Sequence, residues 1–209
     1  MGTRGEAMAL MRAALTLGRR ARLRNPAWRR LPALLFVTDP GRVRDPLAAV
    51  RRLPQGAGVV YRAFGRADAL DTGLALATLC RSRGLILLVG DDEALAARIG
   101  AAGLHLPERG LIRARAIRVR RPLWMLTGAA HSRAALAKAA AVGLDAALVS
   151  PVFPSRSPSA GRPLGRLRFA GLVRTARLPV YALGGIDPRT AQGLAGTGAA
   201  GLAAVEALK

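Results

Sequence analysis

VYALGGIDPRTAQGLAGTGAAGLAAVEAL, residues 180–208, reads as a short apolar strand, a Gly-Gly turn, a helix, a Gly-rich turn and a second apolar strand. Parallel strands joined by helices build α/β folds. A glycine pair at the carboxyl end of such a strand lets a ligand approach bare backbone N–H groups. In a (β/α)8 barrel the loops after strands 7 and 8 are the usual phosphate site. The fold therefore turns on whether the preceding residues supply six more strand–helix units.

They do. Short apolar runs that can be buried parallel strands occur at 33–38, 57–62, 85–90, 103–106, 123–128, 146–150, 179–183 and 201–205. Helical patterns follow most of them, at 45–53, 67–83, 91–100, 132–142, 164–175 and 187–194, whereas the connection after the fourth run is short and basic. Gly100, Gly143 and Gly198 sit where helix C-caps belong. Eight units in order predict a (β/α)8 TIM barrel rather than an open sheet, as one domain over 31–209. No composition shift after residue 31 marks a second domain.

Residues 1–30 stand apart, with eight arginines and a single acid, Glu6. The stretch AMALMRAALTLGRRARLR has the pattern of a basic amphipathic helix. It suits a membrane-surface or RNA-binding arm, or a poorly ordered extension. Arg12 interrupts its apolar core, which argues against a secretory signal. Little sequence follows the last strand, so either this arm or the neighbouring subunit of a homo-oligomer is expected to cover that side of the barrel.

Composition excludes several classes. Net charge is +21, and all but two of the 33 basic residues are arginine. The lone Cys80 rules out an intramolecular disulfide. With only His105 and His131 beside it, a zinc site is not expected. No apolar run reaches the roughly 18 residues of a membrane span, and a cytoplasmic location is expected. ERGLIRARAIRVRR (108–121) could neutralise a phosphate backbone, but only eight aromatics and no recognised module accompany it, so specific nucleic-acid binding is not expected.

Chemistry in such a barrel sits just past the strand ends. The candidates are Thr38-Asp39, Arg62, Asp91-Asp92, His105, Thr127, Ser150–Ser159 and Gly184-Gly185. The loop SPVFPSRSPSAGRPLG (150–165) is the longest after any strand. Its Ser155, Arg156 and Ser157 offer hydroxyls and a guanidinium suited to phosphate. Arg62 could add a bidentate contact, and Asp91 could hold a Mg2+ bridging phosphate oxygens. Each has a plainer reading: Asp91 as a helix N-cap, Arg62 paired with an acid at the mouth, Ser155 and Ser157 as turn residues, His105 as a packing residue, and His131 as a helix opener.

With these residues in view, the chain resembles the thiamine-phosphate synthase and thiazole tautomerase family of (β/α)8 barrels over residues 33–208. LVSPVFPSRSPSAGRPLG, TGAAHSRAALAKAAAVGLDAAL, LPVYALGGI and GDDEALAARIGAAGLHLP carry the likeness. The resemblance implies that an aminopyrimidine diphosphate is joined to a thiazole phosphate. Mg2+ binds the diphosphate, pyrophosphate leaves, and the cationic pyrimidine is captured by the thiazole nitrogen. It implies that Arg62 and Asp91 are catalytic, with Asp91 also a metal ligand. Ser155, Arg156 and Ser157 would hold pyrophosphate, and Gly184 and Gly185 the thiazole phosphate.

The chain also departs from the pattern. Val60 and Phe64 stand where the family has Gln and Lys, and Gly90 where it has Asn. Pro107–Gly110 lack the second metal-binding Asp, for which Glu108 is the nearest substitute. Ala129 replaces a Ser, Pro158 a Lys, and Glu206 the Ser that faces the thiazole phosphate. Pro151 replaces the His of the tautomerase branch. These changes keep a second reading open, a catalytically degenerate barrel acting as a phosphate-ligand-binding or regulatory protein. Arg156, Arg162 and Arg66 are the cations available to compensate.

Overall fold

The computed structural model describes residues 4–24, 28, 30–157 and 161–208, with backbone alone at 20–22 and 24. Pro158 and Ser159 lie outside the described residues. Eight parallel strands close a barrel in sequence order: β1 (Leu34–Val37), β2 (Gly58–Tyr61), β3 (Ile86–Gly90), β4 (Gly103–Leu106), β5 (Met125–Ala130), β6 (Ala146–Val149), β7 (Val180–Ala182) and β8 (Gly201–Ala204), with β8 hydrogen-bonded back to β1. The helices between them are α2 (Pro46–Arg52), α3 (Ala69–Ser82), α4 (Glu93–Arg98), α5 (Ala114–Arg120), α6 (Arg133–Ala141), α7 (Gly165–Thr175) and α8 (Pro188–Gln192).

Strand alternation divides the apolar residues into two cores. Leu35, Val37, Val60, Leu88, Leu148, Tyr181 and Ala203 fill the barrel. Leu34, Phe36, Val59, Leu87, Leu104 and Val180 point outward, under the helices. Cys80 belongs to this outer core, where burial pushes its thiol up to about 11.

The amino-terminal helix α1 (Arg4–Arg24) packs against α8, β8 and β1, over the barrel side beside the last strand. Ala7, Leu10, Met11 and Ala14 form its buried stripe, at the spacing of one helical face, while Arg4, Arg12 and Arg19 face solvent.

Two elements differ from the sequence expectation. The strand placed at 123–128 begins two residues later, because the chain is still turning at Trp124, whose N–H donates to the Arg121 carbonyl (3.1 Å). The connection after β4 is not a bare basic loop. Glu108–Arg113 form a 3-10 turn that leads into α5. Leu111, Ala114 and Ile117, three residues apart, are buried, and the intervening arginines turn outward.

Candidate functional site

One polar group at the carboxyl mouth is built on the ends of β1 and β2. Thr38 Oγ1 accepts the Arg62 backbone N–H (2.9 Å), and Arg62 Nε donates to the Thr38 carbonyl (2.7 Å). Arg62 Nη2 lies 3.1 Å from Asp39 Oδ2, and Arg42 Nη2 reaches the same oxygen at 2.9 Å. Burial would raise the Asp39 carboxyl, but Arg42, Arg62 and the Gly41 N–H outweigh it and hold it below its ordinary value. Burial lowers Arg62 from its ordinary value, and Asp39 opposes that shift. The guanidinium also stacks on Phe64, 5.1 Å from the ring centroid, so the aromatic standing in a lysine position supports the cation. Arg42, which sequence reasoning missed, is three residues beyond Asp39 in the same turn, and that spacing was its only signal.

At the end of β3, the two acids divide their roles. Asp92, not Asp91, caps α4, its Oδ1 accepting the Leu95 N–H at 2.8 Å. Asp91 takes the left-handed conformation (φ 61°), a region that Asp tolerates better than most residues. Its N–H donates to the His105 carbonyl (2.9 Å). Its carboxylate meets two guanidiniums from the turn after β4: Arg113 in close contact at Oδ1, and Arg109 at 3.7 Å from Oδ2. Glu108, the nearest substitute for the absent acid, accepts the His131 N–H at 2.8 Å. Gly90 is required by packing: a Cβ there would stand 2.8 Å from Arg62 Cγ.

A cavity of about 390 Å3 opens beside the Arg62 group. Arg42, Arg62, Arg162, Ser155, Ser157 and Gly184 contribute to its wall. His131 lines it too, its Nδ1–H donating to the Ser150 carbonyl (2.7 Å), while Ser132 rather than His131 caps α6. Arg156 is bonded to Glu206, with Nε 2.9 Å from Oε2, and Arg42 Nη1 lies 3.9 Å from Oε1. Arg66 is paired with Asp68 at 2.7 Å.

The Gly184-Gly185 turn does more than bare its backbone. Both residues have positive φ (90° and 64°). A Cβ on Gly184 would meet Pro151 Cα at 2.7 Å, and one on Gly185 the Pro154 carbonyl at 2.5 Å. The long loop after β6 therefore docks on this turn, and Phe153 N–H donates to the Gly184 carbonyl (3.0 Å).

Two sequence candidates are buried. His105 and Thr127 alternate with the outward Leu104, Leu106 and Leu126 and so face inward, His105 Nδ1 and Thr127 Oγ1 sharing a hydrogen bond of 2.9 Å. Burial, with the Arg62 charge adding to it, pushes His105 down to about 4 and keeps it neutral. The arginines of the 108–121 stretch brace the barrel: Arg118 pairs with Asp145 (2.7 Å) and Arg120 with Glu93 (2.8 Å). None of the described helices is long and apolar enough to cross a membrane.

This arrangement has relatives. The family profile described as thiamine monophosphate synthase matches residues 34–208. The chain belongs to that family. The thiamine-phosphate synthase of Methylococcus capsulatus is 36% identical over 184 residues, covering 83% of this chain and 81% of that protein. A Geobacter sulfurreducens relative is 33% identical over 140 residues, 66% of either chain. The bifunctional ThiM/ThiE protein of Symbiobacterium thermophilum is 36% identical over 141 residues, and the match spans 29% of its length. Among solved structures, the thiamine phosphate pyrophosphorylase of Pyrococcus furiosus superposes with a TM-score of 0.74 over 86% of this chain and 87% of that one. At 22% identity it shares the fold.

Proposed function

We propose that this chain joins an aminopyrimidine diphosphate to a thiazole phosphate with release of pyrophosphate, the reaction that its likeness to thiamine-phosphate synthases implies. The observation that carries the reading is the cationic cavity, where Arg62, Arg42 and Arg162 stand with the hydroxyls of Ser155 and Ser157. In the proposed reaction the bond from the pyrimidine methylene to the diphosphate oxygen breaks, and its electron pair leaves with pyrophosphate. The thiazole nitrogen then donates its lone pair to the carbocation. The enzyme's task is to stabilise the growing charge on the departing phosphates and to align the nitrogen. Arg62 supports this role because Thr38, Asp39 and Phe64 hold it in place beforehand, so little reorganisation accompanies the reaction.

The family implies Mg2+ at the diphosphate, and the residues present do not fit it. Mg2+ needs a near-octahedral set of oxygens, usually one or two carboxylates with substrate phosphates. Here Asp92 is taken up in capping α4, and each oxygen of Asp91 faces a guanidinium. Glu108 is committed to a backbone N–H, and the described residues hold no cluster of three His, Cys, Asp or Glu side chains. No step is assigned to the metal.

A second reading, a barrel that binds phosphorylated ligands without turnover, draws on Glu206. Its carboxylate neutralises Arg156 and lies near Arg42, beside the cavity that a second phosphate would enter. A turnover assay on the purified full chain, with both substrates and with thiamine phosphate as the measured product, separates the two. Product formation is the expected result. Ligand binding without product would select the second reading.

A further inference from the structure

We propose that the guanidinium groups of Arg113 and Arg109 take the place of a divalent cation at the end of β3, so that the diphosphate end of the substrate is bound without metal. The inference rests on the reading of this mouth as a diphosphate site.

Three observations lead to it. First, Asp91 is placed to steer these arginines. Its left-handed backbone projects the carboxylate toward the turn after β4, where Arg113 and Arg109 meet its two oxygens. A dication entering there would have to displace both guanidiniums and approach their positive charge. Second, the turn that would have to supply a further metal ligand offers a single carboxylate, already engaged through one oxygen. Pro107 has no side-chain donor, Glu108 is bonded to the His131 N–H, and Arg109 is a cation. Third, the strand end that carries Asp91 adjoins that of Arg62. Gly90, next to Asp91, packs against the stem of Arg62, which lines the cavity. Arg62 and the acid that tethers Arg113 and Arg109 thus stand on neighbouring strand ends, β2 and β3.

Guanidinium is chemically suited to the exchange. It stays charged at any working pH, and its planar donors match phosphate oxygens in pairs. Both arginines retain exposed surface, so their remaining N–H donors can reach a ligand while Asp91 tethers them. The carboxylate becomes a positioning group for cations instead of a metal ligand.

Titration calorimetry of inorganic pyrophosphate into the full-length protein tests this, once in EDTA and once with excess Mg2+. The expected result is binding in EDTA, with an affinity within roughly threefold of that in Mg2+. Arg113→Gln should weaken binding in EDTA by about tenfold or more, the loss of one charge-assisted hydrogen bond, with its thermal unfolding checked in parallel. Binding seen only with Mg2+ would overturn the inference and leave the proposed reaction standing. Equal affinity of Arg113→Gln and wild type in EDTA would also overturn it. Absence of binding in both buffers would overturn the inference together with the diphosphate reading beneath it.

Discussion

Arg62 and Arg42 share one oxygen of Asp39, at 3.1 and 2.9 Å, where β1 and β2 end. Two guanidiniums on one carboxylate leave a net positive charge facing the cavity, and the carboxylate fixes where that charge sits. Arg62 is the more deeply engaged, being bonded to Thr38 as well. Arg62→Ala should therefore lower turnover by roughly 10^2 to 10^3-fold, as for the loss of one preorganised electrostatic group. The melting temperature should move little, since Asp39 keeps Arg42. Steady-state kinetics alongside a thermal melt checks both, and unchanged kcat/KM would remove Arg62 from the proposed machinery.

The same geometry explains why Gly90 stands where the resemblance leads one to expect Asn. A side chain there would collide with Arg62 Cγ, since even a Cβ falls at 2.8 Å. Gly90→Asn should push Arg62 off Asp39 and weaken pyrophosphate binding, with little further loss when added to Arg62→Ala. A double-mutant cycle measures that coupling, which should exceed about 1 kcal/mol for residues in direct contact. Additive losses would mean that Arg62 tolerates the added side chain by moving elsewhere.

His105 links the site to acid stability. In the folded protein it is pushed to about 4, against 6.5 when unfolded. The unfolded chain therefore takes up a proton below pH 6.5 that the folded chain refuses until about pH 4. Unfolded protein binds more protons throughout that window, so stability falls as pH drops from 6.5 to 4 and is unaffected by this group above 6.5. The loss is about 3 kcal/mol. His105→Gln, which keeps a polar partner for Thr127, should flatten the slope of unfolding free energy in that range. Chemical denaturation at a series of pH values reads it, and an unchanged slope would assign the acid sensitivity to other groups.

The barrel was legible because β strands buried on both faces appear as short uninterrupted apolar runs, and eight of them recur with room for a helix between most of them. The helix α5 was hidden because its buried residues, Leu111, Ala114 and Ile117, are separated by arginines that dominate the composition of the segment. The mouth was partly legible: Arg62, Ser155, Ser157 and Gly184 do line one cavity. What the chain order cannot carry is the pairing across strand ends. Nothing local to Asp91 says that Arg113, 22 positions away, meets it, or that Arg156 turns to Glu206, 50 positions on. The His105–Thr127 hydrogen bond is of the same kind, joining neighbouring strands 22 positions apart.

In the proposed reaction, Glu206 is expected to set how the second phosphate is received. Its carboxylate follows β8, is largely sheltered, and is bonded to Arg156, while Arg42 lies 3.9 Å from its other oxygen. A phosphorylated ligand entering this side must compete with a resident anion for both guanidiniums. Arg156, being mostly exposed, loses little by exchanging one anion for another, but the carboxylate left behind repels the incoming phosphate. Removing it should strengthen phosphate binding. Glu206→Ser is expected to tighten thiazole phosphate by about tenfold, the value of one regained charge-assisted contact. It should also steepen the loss of affinity with added salt, because Arg156, formerly neutralised in place, becomes available to the ligand. Calorimetry at two ionic strengths reads both effects. Weaker binding in Glu206→Ser would show the opposite arrangement, in which the carboxylate holds Arg156 and Arg42 in position for the ligand instead of standing in its place.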